Sequence, residues 1–207
     1  MRTFDFILII LTVCFNSCTE KIDINDGNDD NTIYGTGALT SHNLSLNSFS
    51  KINLTGYAKI SVVKGDVQSV VVRAQQNIFD VLDIHTSGSN LYLGVKKNYS
   101  ISTQEGIFVD IVSPEITDVS IVGSGDLTIS GGTQESFNIS VTGAGNVNAY
   151  GLDVNHTRVT ISGSALCLVK AISTLDIIIS GAGTVRYKGN PTISQVISGV
   201  GSVINDN

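Results

Sequence analysis

Gly123-Ser124-Gly125, Gly143-Ala144-Gly145, Gly163-Ser164-Ala165, Gly181-Ala182-Gly183 and Gly199-Val200-Gly201 are copies of one short motif that recurs through the C-terminal half of the chain at nearly constant intervals. With the first glycine of each copy as position zero, the flanking columns agree. Two residues before it stand Ile121, Val141, Ile161, Ile179 and Ile197, and four before it Val119, Ile139, Val159, Ile177 and Gln195. Four after it stand Leu127, Val147, Cys167, Val185 and Val203, while the position just before it holds Val122, Thr142, Ser162, Ser180 and Ser198. Even offsets are apolar and odd offsets mostly polar, the period of a strand with one buried face. Recurrence at a fixed spacing stacks equivalent strands into columns that run the same way. The pattern therefore predicts an all-β chain whose C-terminal half is a parallel β-solenoid with about 18 to 20 residues per rung. An antiparallel sandwich would space its turns similarly, but gives no reason for one pattern to recur at every second strand.

The glycines themselves read as structural turns. Both fall at even, inward offsets, so they mark a corner whose interior has no room for side chains, and Ala165 suits that reading. Gly131, Gly151, Ala171 and Gly189, at offset plus eight, read as a second corner. In the N-terminal half, Ile52, Leu54, Gly56, Ala58, Ile60 and Val62 reproduce the pattern, which makes Gly56 the first rung. Strand-like runs at Val67 to Ala74, Val81 to His85, Leu91 to Lys96 and Ile107 to Val112 lie between, and one continuous, wider coil is the simplest arrangement.

Composition agrees. Only 14% of the 207 residues are charged, against about 25% in an average globular protein, which disfavours helices surfaced with Glu, Lys and Arg. Twenty-one Gly and two Pro suit many short strands joined by tight turns. A net charge of −6 is opposite in sign to the basic footprint that phosphate backbones select, so nucleic acid is not an expected partner.

At the N-terminus, Arg2 precedes an apolar stretch from Phe6 to Leu11 that continues through Phe15. It is shorter than the roughly 20 residues that span a bilayer and reads as a secretory signal. Asn16-Ser17-Cys18 resembles a bacterial lipobox of the looser Bacteroidetes kind, with Phe15 where an aliphatic residue is usual and Cys14 as a rival preceded by the bulky Val13. The expected organisation is a signal peptide over 1–17, an acidic tether over 18–40 lipidated at Cys18, and a single domain over 41–207. That domain divides into a wider, irregular section over 41–114 and regular rungs over 115–207. Asp23 to Gly27 is one residue short of a calcium loop. Cys167 would remain as a free thiol, leaving no disulfide.

Phe49-Ser50-Lys51-Ile52, Ala58 to Gly65, Val70 to Ala74, Ser89 to Leu93 and the later glycine ladder together resemble the putative autotransporter adhesin, head GIN-type domain family of Bacteroidetes lipoproteins. The resemblance spans roughly residues 40 to 205. It implies a right-handed parallel β-helix in an exported, often lipid-anchored protein of the outer membrane, and an adhesin role, but transfers no catalytic residue.

The residues themselves offer little chemistry. Among Asp126, Arg158, Lys170, Asp176, Arg186 and Lys188, only Arg158/Asp176 and Lys170/Lys188 share columns, and no carboxylate pair does, as glycoside hydrolysis would require. His42, His85 and His156 are scattered without zinc-ligand spacing, and Asp126 has no Asp in the equivalent positions. No metal and no cofactor is expected. Cys167 falls in a core column, where a thiol is inert. What recurs is a hydroxyl face, Ser120, Ser140 and Thr160 in one column and Thr142, Ser162, Ser180 and Ser198 in the next. That face is the candidate binding surface, for an extracellular glycan or protein. The expected function is a non-enzymatic adhesion or binding module, with a structural envelope lipoprotein or a polysaccharide-acting enzyme as alternatives.

Overall fold

A computed structural model describes residues 31–207. Cys18, Cys14, the apolar stretch and the loop at Asp23 lie outside the described residues. The elements are β1 (Thr32–Tyr34), β2 (Leu39–Leu44), β3 (Lys51–Gly56), β4 (Lys59–Lys64), β5 (Ser69–Gln75) and α1 (Gln76–Phe79). Then follow β6 (Leu82–Ser87), β7 (Asn90–Val95), β8 (Ser100–Ser102), β9 (Phe108–Ser113) and β10 (Asp118–Gly123). The regular part comprises β11 (Asp126–Gly143), β12 (Asn146–Gly163), β13 (Leu166–Gly181), β14 (Thr184–Lys188), β15 (Thr192–Gly199) and β16 (Ser202–Asn205). The chain is all-β apart from the single turn of α1. Structure reaches back to Thr32, inside the stretch assigned to the tether, because β1 pairs with β8.

The strands form two rows. One runs β6, β7, β3, β10, then the second halves of β11, β12 and β13, then β15. The other runs β2, β5, β9, β4, then the first halves of β11, β12 and β13, then β14 and β16. From β10 onward every pairing is parallel. Gly56, Gly123, Gly143, Gly163, Gly181 and Gly199 fall opposite one another in register. Between the rows, Leu54, Ile121, Val141, Ile161 and Ile179 form one buried column and Leu127, Val147, Cys167 and Val185 another.

Three expectations need correction. The N-terminal section is not one continuous coil, because β2, β5 and β6 run antiparallel to their neighbours. No Gly-x-Gly corner lies between Gly56 and Gly123, and the chain there reverses at short turns such as Gly88, whose φ is 56°. Nor is offset plus eight a maintained corner: Ala171 lies opposite Val154, not Gly151, and the register shifts between Ala149 and Asp153. That shift absorbs the shortening of the repeat in the later rungs. Finally, the two glycines of each corner do different jobs. The first is not inward; it carries a positive φ of 118 to 135° at Gly123, Gly143, Gly163, Gly181 and Gly199. Only the second position, Gly125, Gly145, Ala165 and Gly183, faces the core.

Candidate functional site

Odd-numbered offsets leave the core and build the outer face of the first row. Asn53, Ser120, Ser140 and Thr160 stand opposite one another in succession, and beside them run Lys51, Asp118, Asn138 and Arg158. Together with Asn90 they line an open groove of about 460 Å³. Rung spacing in such a stack is about 4.8 Å, so the hydroxyls form a straight row. None of Ser120, Ser140 and Thr160 uses its hydroxyl on another protein group. The flanking column, by contrast, is knitted together. Lys51 Nζ lies 3.4 Å from Asp118 Oδ2, Asn138 Nδ2 donates to Asp118 Oδ1 at 3.1 Å, and Arg158 reaches Asp176 at 3.6 Å. These pairs are exposed and each contributes about 0 to 1 kcal/mol. They fix the edge of the groove more than they stabilise the fold.

The sequence-derived face is thus split. Ser120, Ser140 and Thr160 enter the groove. Thr142, Ser162, Ser180 and Ser198 stack in register as the next outward column but do not line it. Asn53, Asn90, Asp118 and Asn138 were missed. Asn53 and Lys51 carried a signal, since they occupy the same offsets from Gly56 as Ser120 and Asp118 do from Gly123. Asn90 carried none, because β7 joins the row through a hairpin without a corner glycine. One place beyond Asn53, Tyr92 stands opposite it, its ring stacked on His85 at 5.1 Å. An aromatic pair therefore heads the polar row, where the linear sequence shows only isolated rings.

Elsewhere the titratable groups are structural. Cys167 is buried and its thiol is pushed up to about 12 by burial. Lys170 bonds Asp153 at 2.8 Å, with Lys188 opposite it in register. Among the described residues no three His, Cys, Asp or Glu side chains gather as metal ligands. The strongest perturbations belong to a clasp on the last rung. Asp206 accepts hydrogen bonds from Arg186 and, at 2.6 Å, from the Tyr150 hydroxyl, and Lys188 lies over the Tyr150 ring at 4.7 Å. Arg186, and after it Tyr150, hold the Asp206 carboxyl down at about 2. Burial, then Asp206, pushes Tyr150 up to about 12. A depressed carboxylate adds stability above its unfolded value of about 3.9 and loses it as pH falls through the folded value. The clasp should therefore open between about pH 4 and pH 2. In an NMR titration, the amides of Asn205 and Asn207 should move with a midpoint near 2, and Arg186→Ala should raise it toward the ordinary carboxylate range. A wild-type midpoint already in that range would show that the clasp does not form.

The family described as putative auto-transporter adhesin, head GIN domain, matches the chain twice, over residues 48–131 and 117–191. A solved structure of a putative adhesin from Bacteroides fragilis is 20% identical, with a TM-score of 0.57 over 84% of this chain and 100% of its own. A putative lipid binding protein from Parabacteroides distasonis, also 20% identical, gives 0.51 over 85% and 100%. At such identities the likeness is one of fold. Among curated proteins none matches.

Proposed function

Because the chain belongs to the putative auto-transporter adhesin, head GIN domain family, we propose that it is a non-enzymatic binding module of the bacterial cell envelope. In this reading residues 1–17 are a signal peptide, Cys18 carries the lipid that holds the chain at the outer membrane, and the regular rungs over 115–207 form a right-handed parallel β-helix. The parallel registers that join each rung to the next support the last of these.

The observation that carries the binding role is the groove, with a row of unpaired hydroxyls flanked on one side by a rank of amides and mixed charges. Its ligand is an extracellular glycan or protein that presents its own donors and acceptors at intervals along the row. Each such hydrogen bond contributes only about 0.5 to 1.5 kcal/mol, so attachment depends on several at once. No two carboxylates converge there, as acid/base cleavage of a glycan would need.

The test is an array of glycans and matrix proteins probed with the whole chain. Changing Ser140 and Thr160 together to Tyr fills the groove and should weaken attachment at least about tenfold, equivalent to 1.4 kcal/mol. Arg158→Ala should cost less than about threefold, in line with an exposed ion pair. If filling the groove changes nothing while Ser162 and Ser180 changed together abolish attachment, the neighbouring column is the site. Turnover of a polysaccharide that one charged residue abolishes would replace the binding module with an enzyme.

A further inference from the structure

The two rows of strands end differently. At the N-terminal end, β6 and β2 close them, and these strands run against their neighbours and are dressed with other groups. Asp83 and His85 pair at 2.9 Å on β6, His42 of β2 stacks on Phe79 of α1 at 3.6 Å, and β1 and β8 lie alongside. At the C-terminal end, β15 and β16 complete the rows with nothing beyond them among the described residues. Every residue of β15 is exposed. Ile197 is 38% exposed, Val196 64% and Val200 83%, whereas Ile179, one rung inside Ile197, is 1% exposed. A stacked repeat needs a polar outer face on its terminal unit, and natural edge strands are guarded by charge, proline or a bulge. Thr192–Gly199 has none of these. In residues 190–207 the single charged side chain is Asp206, already held by Arg186.

We propose that this last rung is where a second copy of the chain docks, β15 of one copy pairing antiparallel with β15 of the other about a two-fold axis through Gln195. Residues directly opposite in an antiparallel pair share a face, so the register must set inward residues against inward residues. Centred on Gln195, it places Ile193 against the partner copy's Ile197 and continues the apolar core across the junction. It also sets Gln195 against Gln195 of the partner copy, where two side-chain amides can bond each other. That explains why a glutamine ends a column of Val119, Ile139, Val159 and Ile177. A foreign apolar strand would leave that amide buried without a partner. The chain carries −6 overall, and this neutral end is where two copies meet least repulsion. Because the opposite end is closed by antiparallel strands, the contact is the same patch on both copies, and association stops at two. The anchors of the two copies would then leave from opposite ends, an arrangement that joins two surfaces.

This proposal is independent of the groove and is tested separately from it. Opposed residues in an antiparallel pair have Cβ atoms about 4.5 to 5.5 Å apart, close to disulfide reach. Under mild oxidation, full-length Gln195→Cys should form a covalent dimer well above the level of the unchanged chain and of Thr142→Cys, an exposed control midway along the stack. Gln195→Lys sets two ammonium groups against each other at an exposed position. It should weaken dimerisation by light scattering more than tenfold, with an unchanged far-ultraviolet spectrum. Cross-linking of Gln195→Cys no better than Thr142→Cys, or a dimer that survives Gln195→Lys, overturns the proposal. So does a Gln195→Cys chain that links only to a different protein, which would give the edge to a foreign strand.

Discussion

Ile161→Asp should prevent folding or lower stability by more than about 4 kcal/mol, whereas Ser162→Asp, its neighbour in sequence, should change it by no more than about 0.5 kcal/mol. Ile161 is fully buried between Val141 below and Ile179 above. Removing its side chain forfeits about 1.5 to 3 kcal/mol of burial, and the carboxylate that replaces it has no donor in a column of aliphatic groups, so it is buried either charged and unpaired or protonated. Ser162 lies on the other side of the same strand, exposed between Thr142 and Ser180. A charge there keeps its water. Urea or thermal unfolding of the two variants decides the matter, and equal shifts would mean that the inward and outward faces have been exchanged.

The same alternation explains what could be read from the residues and what could not. From Asp118 onward the residues around each corner glycine repeat those of the rung before, so there one offset rule gives strand, face and register together, and Gly123 does stack on Gly56 although most of the irregular N-terminal section lies between them in sequence. The rule depends on a marker in every rung. Between Gly56 and Gly123 there is none, and the buried aliphatic residues of β5 and β9 fit a parallel or an antiparallel neighbour equally well. The reversal of β5 and β6 was therefore invisible. The site follows the same division: Ser120, Ser140 and Thr160 were legible because they share an offset, and Asn90 and Tyr92 were not, because a hairpin brings them there. The corner glycines were found by position but misread in role, since periodicity records that a residue recurs and not which backbone angle it adopts.

That distinction has a direct consequence. Gly163→Ala should cost about 3 kcal/mol or more, because two separate demands meet at this position. Its φ of 135° lies where only glycine is comfortable, at a cost of about 1 to 3 kcal/mol for other residues. A Cβ would also stand 2.2 Å from the carbonyl oxygen of Gly143. That oxygen cannot move aside, since it accepts the hydrogen bond from Ser164 N at 2.8 Å, and the same bond joins Ala144 to Gly123 and Ala182 to Gly163. No change of a neighbouring side chain can relieve this. Gly183 is different: it lacks the positive φ, and its added Cβ would meet Ile161 Cγ2 at 2.7 Å. Gly145 and Gly201 likewise lie over Ile121 and Ile179, whereas Ala165 occupies the equivalent place above Val141, a smaller residue. Gly183→Ala alone should therefore destabilise by about 1 to 3 kcal/mol through overpacking, and Ile161→Ala, which removes the Cγ2 that the new methyl meets, should show a favourable coupling of at least about 1 kcal/mol with it, as expected for residues in contact. Ile161→Ala should recover nothing from Gly163→Ala. A double-mutant cycle in urea measures both couplings, and rescue of Gly163→Ala as readily as of Gly183→Ala would show that the first glycine, like the second, is required only for space.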